Sequence, residues 1–201
     1  MSQAEWAEAT ARRILAKQLP RRWAHTQGVA AAARTLAPVL GRDDDLLTAA
    51  AWLHDIGYAP DVADTGFHPL DGARHLRDTE GANGMLCRLV AHHSCAINEA
   101  AERGLAREMT REFRPARRDL AEALTYCDMT TSPDGQRLPI ERRLAEIRAR
   151  YGPDHLVSRT IGRSEPQLTR AVTRVTGRLA ASSSPSAAAA SPGRVRADAV
   201  A

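Results

Sequence analysis

The chain has 201 residues, room for one domain or for one domain with a tail. Hydrophobic residues make up 43% and charged residues 26%, which excludes collagen-like, wholly disordered and membrane-embedded classes. Lys+Arg 28 against Asp+Glu 24 leaves +4, and Lys17 is the single lysine, so the excess is arginine. A charge of this size permits an anionic partner without naming one.

The N-terminal stretch carries Glu5, Glu8, Arg12 and Arg13 where a secretory signal needs an apolar run. The most apolar stretch, 29–40, is interrupted by Arg34 and Pro38 and is too short to span a bilayer. Up to about residue 180, Ala, Leu, Arg and Glu dominate and β-branched runs are absent. The periodicity predicts helices over 3–18, 21–37, 44–56, 69–79, 84–94, 96–112, 116–130, 140–151 and 164–180. Gly41, Gly57, Gly66, Gly81 and Pro133-Asp134-Gly135 punctuate them. From Ala181 the composition becomes Ser/Ala/Pro-rich, with too little apolar area to offset ordering, so 181–201 is expected to be a disordered tail. The folded unit is expected to be all-α over 1–180, its last helices lying in 140–180. Cys87, Cys95 and Cys127 form no CxxC pair and read as reduced, mostly buried thiols of a cytoplasmic protein.

Several ionisable residues fall where a helix should be apolar. The stripes are His25, Gly28, Val29, Ala32, Ala33, Leu36; Leu47, Ala50, Ala51, His54, with Asp55 next; Leu86, Leu89, Val90, His93, with His92 beside it; and Leu120, Leu124, Cys127, Asp128. These faces pack inward. Taken singly, His25 reads as a hydrogen-bonded core histidine, Asp55 as the partner of an arginine, and His92-His93 as a solvated helix end. Together, two core-facing aspartates among several core-facing histidines call for a shared cation, because a lone buried carboxylate costs several kcal/mol. A metal is the economical choice. Imidazole and carboxylate donors suit Mn, Fe, Co, Ni or Zn.

The order His25, His54-Asp55, His68, His92-His93, Asp128 sits in the segments RRWAHTQGVA, AAAWLHDIGYAP, FHPLDGARHL, RLVAHHS and ALTYCDMTT. Over about residues 22–134 it resembles the HD superfamily of metal-dependent phosphohydrolases, whose pattern is H…HD…H…H(H)…D. The resemblance implies an HD-domain helical bundle with a metal site between core helices. It also implies hydrolysis of a small phosphorylated, nucleotide-type substrate by a metal-activated water, with His54 and Asp55 catalytic. One divalent ion would take His25, His54, Asp55 and Asp128; a second would take His68, His92 and His93, with Asp55 bridging. Whether His92 or His93 ligates stays open, since adjacent helix positions diverge by about 100°. His68 precedes Pro69, which places it at a helix entry.

Cyclic dinucleotide phosphodiesterases of the superfamily carry HDIGK and a later Gly-Tyr-Pro. Here Tyr58 stands at the lysine and SCAINEAAERG follows His93, so that activity is not expected. Another cation must then meet a phosphate: Arg74 is the candidate, with Arg103, Arg107, Arg111, Arg114, Arg117 and Arg118 behind it, although such Arg/Glu-rich helices usually form solvated, ion-paired faces. A dinuclear iron oxygenase uses the same ligand set and is the enzymatic alternative. A non-catalytic HD signalling module is a further one, against which the complete ligand set argues. Nucleic-acid binding rests on basicity alone, with no basic stripe interleaved with aromatics. His75 and His155 read as surface or structural, and Asp71 as a helix-terminus residue.

Overall fold

The computed structural model describes residues 1–183. Among these the secondary structure is helical throughout, with one isolated bridge, Thr131 to Arg137, and no strand. The expected all-α class is therefore observed.

Helix α1 (Gln3–Leu15) opens with a capping box in which Ser2 and Glu5 satisfy each other's backbone N–H groups. Its first turn is held by Asp45, whose carboxylate accepts from the N–H groups of Gln3 and Ala4. Helix α2 (Pro20–Arg34) starts on a proline, which has no N–H to leave unpaired. After the short α3 (Ala37–Leu40), helix α4 (Asp44–Leu53) is buried on every side from Leu47 to Leu53. It packs against α1, α2, α6 (Gly84–His92) and α9 (Arg118–Met129), and so forms the centre of the bundle. Leu47, Leu53, Leu86, Leu89 and Leu120 are fully buried there. Each such side chain contributes about 1.5–3 kcal/mol relative to exposure. Helix α5 (His68–Asp78) pairs with α6, while α7 (Ala96–Glu102) and α8 (Ala106–Glu112) lie at the flank.

A second, smaller cluster closes the other end. Met129, Ile140, Leu144, Ile147 and Leu168 bring α9, α10 (Ile140–Tyr151) and α11 (Leu156–Ser182) together. The polar site lies where the two clusters meet.

Several boundaries differ from expectation: α1, α2 and α4 each end three residues early, at Leu15, Arg34 and Leu53. The stretch 96–112 is two helices, because Arg103-Gly104-Leu105 turns with Gly104 at φ +75, a conformation glycine adopts at little cost. The last helix begins at Leu156, not 164, and runs through Pro166. Loss of one backbone hydrogen bond there is outweighed by the continuous buried stripe Ser158, Ser164, Leu168, Ala171 and Val175. It also continues to Ser182, past the expected end at 180; the remainder of the expected tail, 184–201, lies outside the described residues. Helix α6 stops at His92, two residues early, for a reason that matters to the site.

Candidate metal centre

Four helix ends and one helix middle converge on the site. His25 projects from the middle of α2, one side of which continues inward as Val29 and Ala32. His54 is the residue that closes α4, and Asp55 begins the turn 56–58. That turn lies directly on the first residue of α5: a Cβ on Gly57 would stand 2.0 Å from the His68 carbonyl oxygen. Only glycine permits this approach, which carries His68 to Asp55. After α6, His93 turns out of the helix at φ −61, ψ 150, and Ser94 and Cys95 follow at φ 47 and 60. Positive φ at two consecutive non-glycine residues costs of order 1–3 kcal/mol each. The reversal places both His93 and Ser94 at the site. Asp128 comes from the last turn of α9.

The histidine ring orientations are set by the backbone. His25 donates from Nδ1 to the Ser132 carbonyl at 2.9 Å, His54 to Ala51 at 2.8 Å and His93 to Val90 at 2.7 Å. A carbonyl can only accept, so each Nδ1 carries a proton and each ring turns its Nε2 inward. These inward nitrogens lie among the carboxylates and one another. His25 Nε2 is 3.1 Å from Asp128 Oδ1, and His54 Nε2 is 3.3 Å from Asp55 Oδ2. His68 Nε2 lies 3.3 Å from Asp55 Oδ1 and 3.2 Å from His93 Nε2. His54 Nε2 is wholly buried and has no hydrogen-bond partner among the described residues.

Such a set fits a divalent cation. Donor atoms of His25, His54 and Asp128 form one group that could hold an ion, and those of Asp55, His68 and His93 form another. Asp55 joins them: Oδ2 faces His54 and, at 3.8 Å, His25, while Oδ1 faces His68. Burial of each ring by backbone-anchored Nδ1–H groups is the outer support usual for metal-binding histidines.

Electrostatics agree with ionised carboxylates and neutral outer imidazoles. Burial alone would raise Asp55, but Arg22, then His54 and His68, hold its carboxyl well below the usual range. Asp128 is likewise opposed by burial and lowered further by His25, His54 and Arg143. His68 and His93 are both depressed, chiefly by burial, whereas His54, which burial lowers, is raised on balance by Asp55 and Asp128. Ser94 Oγ donates to Asp128 Oδ2 and holds that carboxylate in place.

His92 does not join the cluster. Its Nε2 bonds the Phe113 carbonyl at 2.8 Å, across α6 from the site, so of the histidine pair only His93 faces the donors. Arg74, expected as the phosphate contact, is engaged elsewhere: Glu108 and Glu112 of α8 neutralise it. It is absent from the lining of the cavity at the cluster. The arginines that do line that cavity are Arg22, Arg143 and Arg150, none foreseen from the sequence. Signals for two of them were present. Arg22 sits three residues before His25 on the same helix face, and Arg143 interrupts the buried stripe Ile140, Leu144, Ile147. Arg22 donates to Asp55 at 2.7 Å and stacks on Tyr58 at 4.0 Å; Tyr58 in turn stacks on His68 at 3.9 Å. The tyrosine at the HDIGK lysine position thus carries an arginine over its ring.

Remaining residues are structural. Asp71 accepts from the N–H groups of Asp64 and Thr65, tying down the loop before α5. His75 contacts Glu80, and His155 caps α11 by accepting from Val157 N–H. Arg103, Arg117 and Arg118 pair with Glu99, Asp119 and Glu122.

The helical fold and the histidine–aspartate cluster define an all-α protein with a site able to hold a divalent metal. The HD domain family model matches residues 22–131, more than half of the chain, and the chain belongs to that family. No curated protein and no solved structure matches it. Among the described residues no helix is long and apolar enough to cross a membrane.

Proposed function

We propose that the protein is a metal-dependent phosphohydrolase acting on a small phosphorylated, nucleotide-type substrate. The observation that carries this reading is the fully buried, unpartnered Nε2 of His54 among inward-facing imidazole nitrogens and carboxylates. A buried cluster of carboxylates and imidazole nitrogens of this kind is stable when cations occupy it. His25, His54, Asp55 and Asp128 would hold one ion, and His68 and His93 a second, with Asp55 shared. Divalent ions bound there would supply an acidified water and neutralise charge developing on a phosphoryl oxygen.

The chain's own groups define the rest. Asp55, ionised at neutral pH, sets one oxygen beside His54 and the other beside His68. Ser94 fixes the rotamer of Asp128. Arg22, anchored on Asp55 and stacked on Tyr58, presents its remaining N–H groups to an entering anion. Apolar Met129, Ile147, Val157 and Ile161 line the same cavity and suit the uncharged part of a nucleotide. The three cysteines are all unpaired, in keeping with a reducing, cytoplasmic setting.

The test combines metal analysis with a hydrolysis screen over nucleoside mono-, di- and triphosphates, dinucleoside polyphosphates and cyclic nucleotides. Up to two equivalents of metal, with phosphate or nucleotide release abolished in Asp55→Ala, are expected. Mixed-valence iron with oxygen consumption and no phosphate release would overturn the reading, as would metal-free protein from cells grown with added manganese and iron.

A further inference from the structure

Arg143 is an unusual residue to find 5% exposed. Its Nη1 donates to Glu146 at 2.7 Å, and its Nη2 lies 3.8 Å from Asp128, beyond hydrogen-bond reach. Its Nε–H is buried and has no partner among the described residues. An unpaired buried donor on a charged group carries the full cost of its lost hydration, so the position makes physical sense when a ligand supplies the acceptor.

Its surroundings indicate the ligand's charge. Arg22, Arg143 and Arg150 form a wall shared by two cavities: one at the histidine–aspartate cluster, and a second of about 300 Å³ on the opposite side. The second cavity adds Arg21 and Gln18 to that wall, and none of its lining residues is a carboxylate. Counter-charges are too few. Asp55 answers Arg22, and Glu146 is divided between Arg143 and Arg150 through its two oxygens. Asp128 also lies 3.8 Å from Arg143, but Asp55 and Asp128 both serve the cluster, so only Glu146 is given wholly to the three guanidinium groups. Guanidinium forks are the side chains best matched to phosphoryl oxygens.

We infer that Arg22, Arg143 and Arg150 form a binding subsite for a phosphoryl group that is not cleaved, so that the preferred substrate carries at least two phosphoryl groups. This rests on the phosphohydrolase reading for the word substrate, but the anion subsite itself does not depend on it. Arg143 and Arg150 both come from α10, beyond the segment matched by the family model, whereas Arg22 comes from α2 at the start of that segment. A monophosphate would engage the cluster alone. A diphosphate or longer ester would also bridge to the arginine wall.

Methylenebisphosphonate and methylphosphonate, which resist hydrolysis and carry two anionic groups and one, provide the test. Each is titrated calorimetrically into the full chain as wild type, Arg143→Gln, Arg150→Gln and Arg42→Gln; Arg42 is exposed and outside both cavities, so its variant matches the change in net charge. The bisphosphonate should bind wild type and Arg42→Gln at least tenfold more tightly than the monophosphonate. In Arg143→Gln and Arg150→Gln that preference should fall by tenfold or more. Should Arg143→Gln fail to fold by circular dichroism, the exposed Arg150 decides. Equal binding of the two probes to wild type, or an undiminished preference in a folded arginine variant, overturns the subsite. Arginine-dependent bisphosphonate binding in a protein that hydrolyses no phosphate ester would instead overturn the phosphohydrolase reading and leave the subsite standing.

Discussion

Substituting Gly57 by alanine should damage both stability and the candidate metal centre, through one contact. The added methyl carbon would stand 2.0 Å from the His68 carbonyl oxygen, 2.8 Å from the His68 carbonyl carbon and 2.7 Å from Gly72 N. All three are backbone atoms, so no side-chain rotation relieves them. Restoring ordinary contact requires the turn and the start of α5 to part by roughly 1–1.5 Å. The start of α5 is itself tethered, because Asp71 grips the preceding loop. Overpacking of this kind costs about 3 kcal/mol, the upper end of the usual range. For a domain of this size that corresponds to a fall of about 6–12 °C in Tm. The same displacement would carry His68 away from Asp55 and His93, now 3.3 and 3.2 Å distant. Metal content should therefore drop by one equivalent in whatever protein remains folded. Thermal unfolding followed by circular dichroism, with metal analysis on the same sample, tests both parts. A variant with wild-type Tm and undiminished metal content would refute the close-approach argument.

The histidine pair gives a sharper contrast. His93→Ala should lose bound metal, whereas His92→Ala should keep it and lose only about 1 kcal/mol with its bond to the Phe113 carbonyl; elemental analysis of both variants would expose a reversed assignment. Ser94→Ala frees the Asp128 carboxylate and should weaken metal affinity by about 10–100-fold, as loss of an outer-shell partner does. Competition against a chromogenic chelator measures this, and unchanged affinity would remove Ser94 from the account. Gly162→Ala should act in the opposite direction: its Cβ would meet nothing within 4 Å inside α11, so the variant should gain about 1 kcal/mol. A lower melting temperature would show that Gly162 serves a purpose not visible in its surroundings.

Legibility from sequence was uneven. His25, His54, His93 and Asp128 lie on apolar stripes and Asp55 follows one, so their burial follows from periodicity, whereas half-buried His68 lies on none and only the family resemblance marked it. Arg143 obeyed the same rule and was overlooked, since a lone arginine on the Ile140–Ile147 stripe had no motif around it. Arg74 failed for the converse reason: its position on α5 near His68 said nothing of Glu108 and Glu112, which reach it from another helix. The choice between His92 and His93 was not a helical-wheel question at all. The helix ends between them, and the left-handed turn at Ser94 and Cys95 sends the two rings in unrelated directions.

From the chain alone come the all-α class, the inward-facing histidines and aspartates, and the helix-breaking role of its glycines. These depend on local periodicity and backbone preference, which a sequence carries directly. Tertiary structure alone decides which imidazoles meet, which arginines border the cluster and which pair elsewhere, and that Gly57 lets two elements touch. Those outcomes depend on residues far apart in the chain competing for the same partner, and the winner is determined by packing. The arginine excess visible in the composition illustrates the difference: most of it is spent in surface ion pairs, while three guanidinium groups from α2 and α10 stand beside the cluster.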